Sequence, residues 1–215
     1  MSRNRTMIGL FLSLVAILFA GAALVTPMKV YAQVNATSPM SSSSGTTINN
    51  TTPGPNEFKT LRDQYLAQWQ KLNFQSGFDK LVEDGSVKGY GVYKEHPSNI
   101  YNIDARSIVL YVEPVGYGYN EGVDEAGNTL YSFNFSAMIT LSDSQGKPLT
   151  EPITAEFGEP LNSHNKATEA YMPITLTLDK PLPVGRYTIT YDITDGTSGK
   201  IFQIVKDIRV AETIR

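Results

Sequence analysis

Residues 131–141, Tyr-Ser-Phe-Asn-Phe-Ser-Ala-Met-Ile-Thr-Leu, alternate between apolar and polar side chains along most of their length. Successive side chains of a β-strand point to opposite faces, so the alternation gathers the aromatic and aliphatic residues on one face. The other face carries mainly serine, asparagine and threonine. The stretch therefore predicts a strand with one face in a hydrophobic core and the other in water.

The same period of two recurs further along the chain, at residues 174–179 and 187–194. Less regular candidate strands lie at residues 90–96, 108–113, 153–157 and 201–210. Short strands without intervening helical patterns are typical of two packed antiparallel sheets. We therefore expect residues 85–215 to form a mainly β domain, an antiparallel β-sandwich of about seven strands.

The segment at residues 182–191, Leu-Pro-Val-Gly-Arg-Tyr-Thr-Ile-Thr-Tyr, resembles the E–F corner and F strand of immunoglobulin-like and fibronectin type III domains. The resemblance implies an immunoglobulin-like sandwich in which Gly185 precedes the corner tyrosine, Tyr187, by two positions. It also implies that the Tyr187 hydroxyl donates to backbone upstream and that residues 201–210 form the last strand. The chain departs from antibody domains because it has no cysteine pair and its one tryptophan is outside the predicted strands. The strand order is left open.

Large apolar residues recur at steps of three and four between residues 57 and 72. They are Phe58, Leu61, Tyr65, Trp69 and Leu72. This spacing stacks them on one face of an amphipathic helix. Apolar residues continue to Val82, and residues 57–84 are assigned as a helical segment preceding the sandwich. We interpret Trp69 as a packing residue of the stripe.

Arg3 and Arg5 precede an uncharged apolar run at residues 7–25, and a Val-Tyr-Ala sequence ends at residue 32. A basic start, an apolar core and a small residue at the cleavage position are typical of an export signal. The run could also cross a bilayer as a helix, so residues 1–32 are either a cleaved signal peptide or a membrane anchor. Both alternatives place the remainder outside the cytoplasm, secreted or anchored, with membrane contact only through the apolar run.

Residues 33–56 are rich in serine, threonine, asparagine, glycine and proline and contain almost no large apolar side chain. Such a segment buries too little surface to offset the entropy of ordering it, and we predict a disordered linker. N-glycosylation sequons begin there at Asn35, Asn49 and Asn50, and another begins at Asn134 in a predicted strand. These four residues are candidate glycosylation sites, although linkers of this composition also contain sequons by chance.

The composition excludes several classes of protein. Without cysteine the chain cannot form disulfides, thiolate metal sites or a lipid-modified cysteine anchor. Removal of residues 1–32 leaves 15 basic and 21 acidic residues, a net charge of −6. The basic residues are scattered among acids, which disfavours binding to nucleic acid or docking on an anionic membrane surface.

Residues 115–122, Val-Gly-Tyr-Gly-Tyr-Asn-Glu-Gly, combine the backbone freedom of three glycines with two amphipathic rings. This composition suits surfaces that recognise sugars or peptides, and Tyr117 and Tyr119 are candidate ligand-binding residues. Tyr90 lies in a similar Gly-Tyr-Gly segment and is the third candidate. The alternative interpretation is a loop whose packed tyrosines rigidify the edge of the sandwich.

No catalytic motif stands out in the sequence. His96 and His164 lack the spacing of metal-ligand pairs and lie beside turn-forming residues. The chain has neither the Gly-x-Ser-x-Gly motif of α/β-hydrolases nor a glycine-rich nucleotide-binding motif. We therefore expect no enzyme activity, no metal and no cofactor.

Three functional hypotheses follow. The first is a non-enzymatic extracytoplasmic or cell-surface module that recognises an extracellular protein or glycan. The second is a structural or accessory subunit of a cell-envelope assembly, docked through the apolar helix face; burial of both Leu61 and Trp69 within the monomer would exclude it. The third, with the least support in the sequence, is a metal-dependent enzyme that uses His96 or His164.

Overall fold

The computed structural model describes residues 54–157 and 160–212. The predicted signal peptide or anchor and nearly all of the predicted linker, with the sequons at Asn35, Asn49 and Asn50, lie outside the described residues. In the part of the chain that is described, no helix has the length and apolar character needed to cross a membrane.

The prediction of a mainly β protein is confirmed by the described residues, which form one helix and eleven strands. The helix is α1 (Pro55–Trp69). The strands are β1 (Gln75–Val82), β2 (Ile100–Asn102), β3 (Ser107–Val115), β4 (Asn120–Val123), β5 (Thr129–Phe133), β6 (Phe135–Asp143), β7 (Ile153–Glu156), β8 (Leu161–Ser163), β9 (Met172–Thr177), β10 (Gly185–Asp195) and β11 (Ile201–Ala211).

The strands form three sheets. The largest has the order β2-β11-β10-β6-β7, the second β1-β3-β9 and the third β4-β5-β8. Neighbouring strands are antiparallel except β2 and β11, which are parallel. The first two sheets share one hydrophobic core, to which Leu110, Leu176, Ile139 and Ile189 contribute fully buried side chains. Burial of each such side chain stabilises the folded state by about 1.5–3 kcal/mol. Two sheets that enclose one core are compatible with a β-sandwich.

The alternating stretch at residues 131–141 forms parts of two strands rather than the single strand predicted. β5 ends at Phe133 in the third sheet, and β6 begins at Phe135 in the largest sheet. The chain passes from the third sheet to the largest at Asn134, a change of sheet that we call the exchange. The Asn134 carbonyl accepts a hydrogen bond of 2.9 Å from the Gly196 N–H, next to the end of β10. The alternation itself continues through the exchange, because Phe133 and Phe135 are both buried.

The structure corrects the helical assignment of residues 57–84. α1 ends at Trp69, and residues 75–82 form β1, which pairs antiparallel with β3. The apolar residues of this segment fit a helix or a strand about equally well. The ladder with β3 decides between the two, because it satisfies the hydrogen bonds of the backbone and buries Val82 beside Val109 and Tyr111 of β3. At its other end α1 begins at Pro55, inside the predicted linker.

Most of the apolar stripe of α1 is exposed to solvent. Phe58, Leu61 and Tyr65 have 65%, 51% and 53% of their surface exposed. Trp69, in contrast, is 5% exposed, and its ring meets that of Tyr117 edge-on at 5.2 Å between centroids. The helix is therefore anchored on the core through its last residue, whereas the rest of the stripe faces outward.

The predicted total of about seven strands is too low, since eleven lie within the described residues. Three of the additional strands, β2, β4 and β8, have only three or four residues, too few to show a period of two. Conversely, the strand predicted at residues 90–96 forms isolated bridges, such as that between Val82 and Glu95. This segment instead covers the outer face of the second sheet, where Tyr93 contacts Tyr111 at 4.4 Å between centroids.

Tyr187 makes the hydrogen bond that its resemblance to a corner tyrosine implies. Its hydroxyl donates to the Pro183 carbonyl at 2.7 Å, and its ring is buried. Gly185 leaves space for the ring, because a Cβ at this position would lie 3.3 Å from the Tyr187 hydroxyl oxygen. The contact fixes the turn that leads into β10, which pairs along its length with β11.

Candidate ligand-binding cleft

Tyr117 lies in the hydrophobic core. It is 2% exposed, and its ring centroid is 4.9 Å from that of Phe133 and 5.2 Å from those of Trp69 and Phe135. Its hydroxyl donates to the Ala167 carbonyl at 2.7 Å. Burial raises the pKa of Tyr117 far above its usual range, so the group stays a neutral donor. These contacts fit the interpretation of Tyr117 as a packed residue of the loop.

Tyr119 occupies the outer edge of the same aromatic cluster. Its hydroxyl also donates to the Ala167 carbonyl, at 2.5 Å, and its ring is 5.5 Å from that of Tyr117. Burial raises the pKa of Tyr119 to about 12. Because Tyr119 is only half-buried, one part of its ring is available to a ligand.

The segment that carries the two tyrosines is held at Gly116 and Gly118. Gly116 has φ +70°, and a Cβ there would lie 2.5 Å from the Asn73 carbonyl oxygen. The Gly118 N–H donates to Oδ2 of Asp195 at 2.9 Å. Asp195 is fully buried and also accepts bonds from the Thr197 N–H and the Ser198 hydroxyl. The loop is therefore fixed against the α1–β1 connection on one side and the β10–β11 turn on the other.

Two adjoining cavities open between α1 and the third sheet, with volumes of about 130 and 320 Å³. Gln70, Tyr131 and Lys166 line both of them. Nζ of Lys166 lies 5.2 Å from the centre of the Tyr131 ring, a cation–π distance. We call the combined space the α1–β5 cleft. The smaller cavity is further lined by Tyr117, Tyr119, Glu121 and Lys200, and the larger by Arg62, Asp63 and His164.

The α1–β5 cleft has a mixed polar and aromatic lining. Gln70 and Glu121 supply amide and carboxylate groups, and Lys166 supplies an ammonium group. The Nδ1 of His164 lies 3.0 Å from the Thr129 carbonyl, and its Nε2 lies 3.7 Å from the Asp124 carboxylate. Such a lining can bind a polar ligand through several hydrogen bonds while an aromatic ring covers one of its apolar faces.

Tyr90, the third predicted ligand residue, does not line this cleft. It lies in the turn between Gly89 and Val92 and is 41% exposed. Burial of part of its ring and the neighbouring Glu113 carboxylate together raise its pKa. The Tyr111 hydroxyl donates to the same carboxylate at 2.6 Å. Tyr90 therefore lines neither of the two cavities, whereas Tyr119 and Tyr131 line the smaller one.

The two histidines have separate surroundings. His96 stacks on Tyr101 at 4.3 Å between ring centroids, and its Nδ1 lies 2.5 Å from the Ser98 carbonyl. His164 lies at the α1–β5 cleft. Among residues 54–157 and 160–212, no three histidine or carboxylate side chains converge as metal ligands would.

Asn134, the predicted glycosylation site in a strand, is half-buried at the exchange between β5 and β6. Its side chain lies against the turn after β10, where a Cβ on Gly196 would be 2.3 Å from its Oδ1. A glycan on Asn134 would have to displace this contact.

The sequence did not single out Gln70, Tyr131 and Lys166 as a site. The alternation of residues 131–141 places Tyr131 on the apolar face of the predicted strand, and it is the one sequence signal that points to Tyr131. Because β5 belongs to the third sheet and not to the largest, Tyr131 lies beyond the core and its ring stays half-exposed in the cleft.

No protein-family model matches the sequence, and no curated protein matches it significantly.

Proposed function

We propose that this protein is a non-enzymatic extracytoplasmic module that recognises a glycan in the α1–β5 cleft. The observation that carries the proposal is the position of the Tyr131 ring, under Lys166 and at the junction of the two cavities. A sugar ring presents polarised C–H bonds on one face and hydroxyl groups around its edge. An aromatic face bordered by amide, carboxylate and ammonium groups complements both features.

The dimensions of the cleft support a ligand of one or two sugar units. The larger cavity, at about 320 Å³, lies at the lower end of the range for small-molecule sites. The elements around it are well fixed, since Tyr119 is bonded to Ala167 and α1 is anchored by Trp69. A preformed cleft loses little conformational entropy when a ligand binds.

The proposed architecture is an immunoglobulin-like sandwich, supported by the Tyr187 corner and by the core shared between two sheets. The proposed location outside the cytoplasm, secreted or membrane-anchored, rests on the basic, apolar and small-residue pattern of residues 1–32. Glycans are abundant there, which agrees with a glycan as the ligand.

Binding of the purified protein to a glycan array, followed by titration calorimetry with each positive sugar, tests the proposal. We expect Tyr131→Ala to weaken binding at least tenfold and Lys166→Ala to weaken it less. Tyr90→Ala is the matched control, because Tyr90 is an exposed tyrosine outside the cleft. Saturable binding to no sugar, or equal losses in Tyr131→Ala and Tyr90→Ala, would overturn the proposal.

A second candidate function is that of an accessory subunit of a cell-envelope assembly, docked through α1. Its support is the exposure of Phe58, Leu61 and Tyr65, which are spaced as the anchors of a helix laid in an apolar groove. Burial of Trp69 removes that residue from the docking face but leaves Leu61 on it. The partner would be a protein that presents such a groove.

A photo-crosslinking amino acid at position 61, expressed in intact cells, tests this second candidate. A single defined partner at position 61, with no such product at the exposed Thr60 on another face of α1, would support it. Equal labelling at both positions would contradict it.

A further inference from the structure

Two arginines lie directly opposite each other on the outer face of the largest sheet. The register of β10 and β11 pairs Arg186 with Arg209, and both side chains are exposed. Like charges in directly opposite positions of an antiparallel pair repel each other and destabilise it. None of the ion pairs formed by the described residues includes either guanidinium group.

The space above this pair is a cavity of about 460 Å³ at one end of the sheet. Ser144, the first residue of the turn after β6, also lines it, and β6 ends beside Tyr187, the neighbour of Arg186 in β10. A hydroxyl donor and two arginines therefore line the same cavity. The cavity contains no lysine and is remote in the fold from α1, which borders the glycan cleft.

The acidic group of this cavity does not form an ion pair with either arginine. Asp207 accepts a hydrogen bond from the Thr188 hydroxyl at 2.7 Å in the adjacent row of the ladder. The Asn99 amide donates to the Asp207 backbone carbonyl at 3.1 Å. The groups that line this cavity carry two positive charges and one negative charge. An anion would balance the excess positive charge.

We propose that Arg186 and Arg209 bind a tetrahedral oxyanion, a phosphate or sulfate group, with the Ser144 hydroxyl as a further donor. Guanidinium groups present paired N–H donors that match two oxygens of such an anion, and hydrogen bonds between charged partners are the stronger ones. An anion between the two arginines also replaces their mutual repulsion with attraction. The site is independent of the glycan cleft and does not rest on the function proposed above.

Titration of the ¹⁵N-labelled protein with inorganic sulfate and with inorganic phosphate, at constant ionic strength maintained with chloride, tests the site. We expect saturable shifts of the Ser144, Arg186 and Arg209 amide signals and at least a tenfold weaker binding in Arg186→Gln and in Arg209→Gln. Arg106→Gln is the matched control, since Arg106 is an arginine bonded to the Asp179 carbonyl at 2.9 Å and does not line this cavity.

Folding of the variants is checked by thermal unfolding in chloride alone. Loss of one arginine removes the repulsion, so we expect Arg186→Gln to unfold at the same temperature as the wild type or higher. Shifts that stay linear in anion concentration, or an Arg106→Gln variant that loses as much affinity as Arg186→Gln, would overturn the proposal. A folded Arg186→Gln variant with undiminished affinity would overturn it as well.

The oxyanion could be free or part of a lipid headgroup, and sedimentation with vesicles separates these sources. Vesicles of phosphatidylcholine with phosphatidylglycerol are compared with vesicles of phosphatidylcholine alone. Binding to the anionic vesicles that is lost in Arg209→Gln assigns the site to a lipid phosphate. Saturable binding of the inorganic anions without vesicle binding assigns it to a soluble phosphate or sulfate.

Discussion

Asp195 and Gly118 are 77 residues apart in sequence and are joined by a hydrogen bond of 2.9 Å from the Gly118 N–H to Asp195 Oδ2. Asp195 is fully buried and ends β10, whereas Gly118 belongs to the loop that carries Tyr117 and Tyr119. The carboxylate also accepts bonds from the backbone and a hydroxyl of its own turn. A single buried acid thus connects the glycine–tyrosine loop to the β10–β11 turn.

Replacement of this acid should destabilise the whole domain. Asp195→Ala leaves the Gly118 and Thr197 N–H groups without their acceptor, and we expect the free energy of unfolding to fall by about 3 kcal/mol. Urea denaturation followed by tryptophan fluorescence measures it, because Trp69 contacts the same loop. The control is Asp192→Ala, which removes only a bond from Gln203 and should cost about 0.5–1 kcal/mol. Equal losses in the two variants would refute the bridging role.

Gly116 should tolerate no side chain. Its φ of +70° strains any residue with a Cβ, and that atom would lie 2.5 Å from the Asn73 carbonyl oxygen. We expect Gly116→Ala to lower the free energy of unfolding by about 3 kcal/mol, of which the backbone conformation accounts for about 1–2. Gly146→Ala isolates the conformational part, since Gly146 has φ +77° and open space around it. The difference between the urea midpoints of Gly116→Ala and Gly146→Ala measures the steric contribution. Equal midpoints would contradict a steric contribution at Gly116.

The parts of the fold that sequence predicted are those with a long local signal. Period-two alternation identified β6, β9 and β10, and the spacing of Gly185 and Tyr187 indicated the corner hydrogen bond. The exchange at Asn134 gave no such signal, because the alternation of side chains continues through it while the pairing partner changes.

The sequence did not predict the α1–β5 cleft, for a related reason. Gln70 follows α1, Tyr131 belongs to β5 and Lys166 lies between β8 and β9, so non-local pairing alone brings them together. Composition singled out the segment around Tyr117 but gave no indication of which ring would face inward.

The effect of removing either of two buried tyrosine hydroxyls on the stability of the protein should depend on whether the hydroxyl is hydrogen-bonded. The Tyr101 hydroxyl is buried and finds no hydrogen-bond partner among the described residues, whereas that of Tyr187 donates to Pro183. Tyr101→Phe keeps the ring that stacks on His96, and we expect stability to be unchanged or raised by about 1 kcal/mol. Tyr187→Phe should lower it by about 1 kcal/mol. Thermal unfolding of both variants checks the pair, and destabilisation by Tyr101→Phe would show that its hydroxyl is bonded in solution.

Alkaline pH should unfold this protein through its buried tyrosines. Burial raises the pKa of Tyr101 to about 12 and also raises the pKa of Tyr191, whose hydroxyl has no partner among the described residues either. Below pH 10 both hydroxyls are protonated in the folded and unfolded chains, and stability does not depend on them. Above pH 10 the unfolded chain releases these protons while the folded chain retains them, so stability falls as pH rises.

Each such group contributes a slope of about 1.4 kcal/mol per pH unit between its unfolded and folded pKa values. Tyr101→Phe removes one ionising group, and we expect its unfolding free energy to decline less steeply than that of the wild type between pH 10 and 12. Urea denaturation at several pH values over this range measures the two slopes. Parallel declines for wild type and Tyr101→Phe would show that the Tyr101 hydroxyl ionises as readily in the folded chain as in the unfolded one.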